Sequence, residues 1–186
     1  MREWFFANLP HCLAALILFA RLGDIGTTWL ATPRFMLESN PLVRRAPRTV
    51  STLSLALCLV PYWTPAASLL VLVPSLLVSA NNASRLWAYR AVGEEQSYRS
   101  ALQAAGRARL RPTLFTLMLP PLFFAVLAGV LFMFYPEPAR DWGYWFAYGI
   151  LVYALVLLVY GPLSFLRLRK LALAGAPTTA RPDDAG

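Results

Sequence analysis

Five stretches of the chain are apolar over the length that a helix needs to cross about 30 Å of hydrocarbon, roughly 20 residues. They fall at about 9–30, 41–63, 65–89, 112–135 and 142–166. The runs are continuous rather than alternating, the pattern of membrane helices and not of barrel strands. Hydrophobic residues make up 58% of the chain and charged residues 14%, with mean hydropathy +0.53. That excludes a soluble globular enzyme, a disordered tail and a disulfide-stapled secreted domain. The expected fold class is all-α, a polytopic transmembrane bundle of five helices.

Turn signals mark the boundaries. Asn40-Pro41 offers an N-cap followed by proline at the first helical position. Pro47 competes with Pro41 for the start of the second span, and Pro65 and Pro112 stand where later spans begin. Tyr62-Trp63-Thr64-Pro65 is a tight connection that makes spans two and three a hairpin. Pro74 and Pro120-Pro121 lie inside spans and are expected to kink them. The first span ends without a small-x-small cleavage site and reads as a retained helix rather than a signal peptide.

Charge sets the orientation. The net charge is +8. The cations cluster in three segments: Arg34, Arg44, Arg45 and Arg48; Arg85, Arg90, Arg99, Arg107, Arg109 and Arg111; and Arg167, Arg169, Lys170 and Arg181. Five spans put all three on one face and leave Arg2 and Arg140 on the other. Cytoplasmic loops collect Lys and Arg, so the N-terminus is expected outside and the C-terminus in the cytoplasm, in the bacterial cytoplasmic (inner) membrane. Trp4, Trp63, Tyr135, Trp142 and Trp145 would mark the outer interface, and Trp29, Trp87 and Tyr89 the inner one. The basic balance thus belongs to topology, and no nucleic-acid partner is expected.

Residues 93–111 read as a cytoplasmic amphipathic connector able to meet anionic headgroups, and 173–186 as a disordered tail. Cys12 and Cys58 lie in apolar runs without zinc or redox spacing. His11, the single histidine, reads as an interfacial polar residue.

Ionisable groups inside spans are rare and costly, and here they cluster. Span one carries Arg21, Asp24, Thr27 and Thr28; Arg21, Asp24 and Thr28 share a helical face. Gly23 and Gly26 would let a neighbouring helix approach. Span three carries Asn81, Asn82 and Arg85 at a matching depth, and Glu38 and Asn40 return through the loop at the same face. The second span would start there with its positive dipole end toward the cluster. Oxygen ligands from Asp24, Glu38 and Asn81 would suit Na⁺, Mg²⁺ or Ca²⁺. Arg21 and Arg85 would suit a phosphate or lipid headgroup. The bland reading is that Asp24 pairs with an arginine and the asparagines bridge helices.

Asp24-Ile-Gly-Thr27-Thr28, followed after ten residues by Glu38-Ser-Asn40-Pro41-Leu42, resembles the Asp-x-x-Thr-Thr and Glu-x-Asn-Pro-Leu pattern of an uncharacterised family of small polytopic bacterial and archaeal membrane proteins. The resemblance covers about residues 20–45. It implies a polytopic membrane protein without an assigned reaction. Where the family often has a lysine in a later span, this chain has Asn81, Asn82 and Arg85.

Three functions fit these residues. The leading one is an ion- or anionic-headgroup-binding protein at the cytoplasmic leaflet, within a transport assembly. The others are a membrane-embedded enzyme acting on a phospholipid or polyprenyl phosphate, and a scaffold subunit with a membrane-protein partner or a second copy of itself. No nucleophile–base pair is visible, so the balance leans away from an enzyme.

Overall fold

The computed structural model describes residues 8–35, 38, 41–138 and 141–175. Seven α-helices follow in order among them: α1 (Leu9–Ala31), α2 (Pro41–Arg45), α3 (Pro47–Leu55), α4 (Leu69–Val92), α5 (Glu94–Arg107), α6 (Leu110–Phe134) and α7 (Trp142–Gly175). Two 3₁₀ segments, Ala56–Tyr62 and Ala66–Ser68, lie between α3 and α4. No strand occurs among the described residues.

Among the described residues, four helical stretches are long and apolar enough to cross a bilayer: Leu9–Ala31, Ala66–Val92, Leu110–Phe134 and Trp142–Gly175. Little of their surface is covered by the protein itself. In α6 only 11% of the most apolar window is buried, and Phe115, Phe123, Val126, Met133 and Phe134 all face outward. Such a surface is stable only against a second apolar medium.

The second expected span takes another form. Proline at 47 disfavours the α region for the residue before it, and Ala46 sits at φ −140°, ψ 64°. The break separates a five-residue helix from α3. Chain 56–62, with Pro61 inside it, then tightens to 3₁₀. The helix that starts at Pro41 therefore ends at Arg45, and the long dipole expected from there does not form. Asn40 lies outside the described residues, as do Arg2, Trp4 and Arg140.

The prolines inside the other spans do not interrupt them. α4 continues through Pro74, and α6 through Pro120 and Pro121. Gly93, at φ 85°, ends α4 and lets α5 leave in a new direction. α7 runs 34 residues, about 50 Å at 1.5 Å per residue, well beyond the apolar thickness of a bilayer. Residues 173–175, expected in the tail, continue this helix, and 176–186 lie outside the described residues.

Packing centres on α4, which has α1 on one side and α7 on the other. Leu13, Ile17 and Ala20 of α1 bury against Leu72 of α4, with Cys58 at their edge. Val73 of α4 joins Ala128 of α6 and Ile150 of α7 in a second cluster. Gly149 makes the α4–α7 approach possible: a Cβ there would stand 2.7 Å from the Leu69 carbonyl oxygen and 2.9 Å from Val73 Cβ. The 3₁₀ segment 56–62 lies along the start of α1. There His11 Nδ1 and the Tyr62 hydroxyl are 2.9 Å apart.

α5, the expected amphipathic connector, packs along the far end of α7. Arg169 donates to the Ala108 carbonyl oxygen at 2.8 Å. At the other end of α5, Glu94 accepts the Arg34 backbone N–H at 2.8 Å, and Glu95 pairs with Arg99 at 2.6 Å. α5 thus ties the loop after α1 to the end of α7.

Candidate functional site

α1 and α7 both pack on α4 and barely meet each other. The space between them is a cleft of about 450 Å³ with α4 as its floor and α3 closing the α1 side. α1 contributes Arg21, Asp24, Thr28 and Trp29; α4 contributes Asn81, Asn82, Arg85 and Tyr89; α3 contributes Ser51 and Ser54; α7 contributes Tyr153 and Tyr160. Ile25, Val43, Val50, Val78, Val156 and Leu157 complete the wall.

The inner edge of the cleft is built from α1 and α4. Gly23 lets the two helices close, since a Cβ there would stand 2.7 Å from Ser79 Oγ. Gly26, expected to share that role, has nothing within 4 Å of its own Cβ position. Arg21 donates to Asp24 Oδ2 at 2.9 Å, with the two side chains 19% and 17% exposed. Asn82 Nδ2 lies 3.3 Å from both Asp24 Oδ1 and Thr28 Oγ1. Each carboxylate oxygen of Asp24 therefore already accepts a hydrogen bond, and the pair across α1 and α4 is a genuine bridge between helices.

The cationic side is less satisfied. Arg21 Nε is buried with no hydrogen-bond partner among the described residues. Arg85 is exposed at the cleft, and no hydrogen bond or ion pair joins it to a described side chain. The Asn81 side chain and the hydroxyls of Tyr89, Tyr153 and Tyr160 likewise make no hydrogen bond to described residues. Tyr153 is held by an edge-to-face contact with Phe124, ring centroids 5.0 Å apart.

The mouth is formed by the loop after α1. Thr32 ends the helix by bonding the Thr28 carbonyl oxygen through both its N–H and its hydroxyl. Phe35 then takes a left-handed conformation, φ 53°, and is 8% exposed with its ring edge-on to Trp29 at 5.3 Å. Its carbonyl oxygen accepts the Glu38 N–H, which places Glu38 at the cleft. Arg167 of α7 donates to the Glu38 carbonyl oxygen at 2.9 Å.

Of the expected site residues, Arg21, Asp24, Thr28, Glu38, Asn81, Asn82 and Arg85 come together. Thr27 does not join them: its hydroxyl is spent on the carbonyl oxygens of Gly23 and Asp24 within its own helix. Asn40 is outside the described residues, and the side chains of Pro41 and Leu42 are undescribed as well. Sequence reading missed Ser51, Ser54, Tyr153 and Tyr160. The tyrosine pair carried a signal, since a spacing of seven puts both on one face of an otherwise apolar helix.

The donor set decides among chemistries. A hard cation at Asp24 would have to displace both Arg21 and Asn82, and no group of three or more His, Cys, Asp and Glu converges among the described residues. A negatively charged, acceptor-rich group would instead meet guanidinium, amide and hydroxyl donors that have no acceptor among the described residues. His11 stands near the first turn of α1, away from this cleft, and offers it no base. Comparison with protein-family models, with curated proteins and with solved structures gave no match for this chain.

Proposed function

We propose that this chain is a five-span protein of the bacterial cytoplasmic membrane, N-terminus outside and C-terminus in the cytoplasm, that binds an anionic headgroup in the cleft between α1, α4 and α7. The observation that carries the reading is the surplus of donors around one cavity that have no partner among the described residues, led by Arg21 Nε and Arg85. A buried donor without an acceptor is costly; Arg21 Nε is one beside the cavity, and the donors that line its wall can meet a ligand that supplies oxygens.

Two arguments support the topology. The stretch Pro47–Tyr62 is nine α-helical and seven 3₁₀ residues; at 1.5 and 2.0 Å per residue it covers roughly 28 Å, close to a bilayer core. It therefore serves as the remaining span beside the four long ones. The three basic segments then share the cytoplasmic face, where Asp24, about 23 Å along α1 from Leu9, reaches the inner leaflet. α5 and the end of α7 form a cytoplasmic layer beneath the cleft.

The test is thermal unfolding of the purified protein in non-ionic detergent, with short-chain anionic or zwitterionic lipid added. A ligand that binds only the folded state raises the apparent Tm. The expected result is a larger rise with anionic lipid, lost in Arg85→Gln. Equal rises with both lipids, unchanged by Arg85→Gln, would leave the cluster as a lock between helices and send the search to protein partners.

A further inference from the structure

We propose that the cleft selects a phosphate-ester lipid, its phosphate seated between Arg85 and the Asn81 and tyrosine donors and its chain leaving sideways between α1 and α7. This rests on the reading that the cleft takes an anionic headgroup, and names which one.

The first argument is the number and kind of donors. A carboxylate head has two oxygens and is satisfied by one arginine fork. Arg85, Asn81, Tyr89, Tyr153 and Tyr160 present more donors than that, from two helices and from opposite walls. A phosphate group offers acceptor oxygens in three dimensions and is the anion that planar guanidinium groups match best. The second argument is charge. Asp24 is compensated by Arg21, and Arg167 donates to the backbone carbonyl oxygen of Glu38 at the mouth. Arg85, which no ion pair joins to a described carboxylate, can meet a further negative charge.

The third argument is the way in. α1 and α7 are held apart by α4, and the walls facing that gap carry Ile25, Val50, Val156 and Leu157. An apolar chain can lie there while its head reaches the polar end. A volume of about 450 Å³ falls in the range of small-molecule sites, ample for a phosphate and the first atoms of its ester. A free phosphate would use the same donors and leave the apolar wall without a role.

The test is native mass spectrometry of the delipidated full-length protein, titrated with lipids of identical chains bearing a phosphate monoester, a phosphodiester, a sulfonate or a carboxylate. Inorganic phosphate is the soluble competitor. Phosphate-bearing lipids are expected to bind at least about tenfold more tightly than the other two, the worth of one or two charge-assisted hydrogen bonds. Arg85→Gln should remove that preference and Arg85→Lys restore part of it. Arg85 is exposed, so its replacement leaves packing intact; Tyr160→Phe, which removes one hydroxyl, provides a second variant and should weaken the phosphate preference alone. Equal binding of all anionic lipids, still sensitive to Arg85→Gln, would overturn phosphate selection and leave the headgroup reading standing. Binding of every lipid at wild-type strength in Arg85→Gln would overturn both. Displacement of the lipid by inorganic phosphate at matching concentration would make free phosphate the ligand and overturn the lipid.

Discussion

Asp24 and Arg21 are bound to each other, yet Arg21 keeps one buried N–H without a partner among the described residues. The pair joins α1 to α4 through Asn82. Removing one member of a partly buried ion pair strands the other and costs on the order of 1–3 kcal/mol. Asp24→Asn and Arg21→Gln should each lower the unfolding midpoint by several degrees, and the double variant should lose clearly less than the sum. Unfolding of the four proteins in one detergent measures that coupling; strict additivity would mean that the 2.9 Å contact contributes nothing. Most of this cluster was legible because charge inside an apolar run is rare enough to notice. Thr27 misled because a helical threonine can spend its hydroxyl on the preceding turn. Tyr153 and Tyr160 were passed over because aromatics are ordinary in membrane helices, so their shared face needed the third dimension to acquire meaning.

At the scale of elements, the long helices were readable from apolar length, and the second span was not. Two prolines, at 47 and 61, decide its form, and a hydropathy run cannot distinguish an unbroken α-helix from an α segment followed by 3₁₀. The same limit hid the length of α7, since its course past residue 166 carries Arg167, Arg169 and Lys170 and packs against α5. The α4–α7 contact that floors the cleft has one narrow point, at Gly149. Gly149→Ala should separate the helices and lower stability, because the clash is with the Leu69 carbonyl oxygen and Val73 Cβ rather than with a flexible tip. Gly161→Ala, with nothing within 4 Å, should be neutral or gain roughly 0.5–1 kcal/mol as a helix-interior glycine is replaced. Thermal unfolding of the two variants side by side checks the contrast, and equal behaviour would refute this packing.

At the scale of the whole molecule, two layers meet at the cleft. The apolar bundle carries the polar side chains, and the α5–α7 layer holds its mouth through Arg34, Glu94 and Arg167. The orientation we propose can be read by single-cysteine labelling in a background without Cys12 and Cys58. Ser97→Cys in α5 should react only after the membrane is permeabilised, and Thr64→Cys in the turn before α4 should react with an impermeant reagent in intact cells. The reverse pattern would invert the topology and move the cleft to the outer leaflet. The central claim, that the cleft holds a headgroup, is tested most directly at Trp29, which lines it. Vesicles containing brominated-chain lipid, anionic in one set and zwitterionic in the other, quench tryptophans that the chains touch. The quenching lost on Trp29→Phe should be greater with the anionic lipid, and Arg85→Gln should erase the difference. Equal quenching of Trp29 by both lipids, with no effect of Arg85→Gln, would contradict the account.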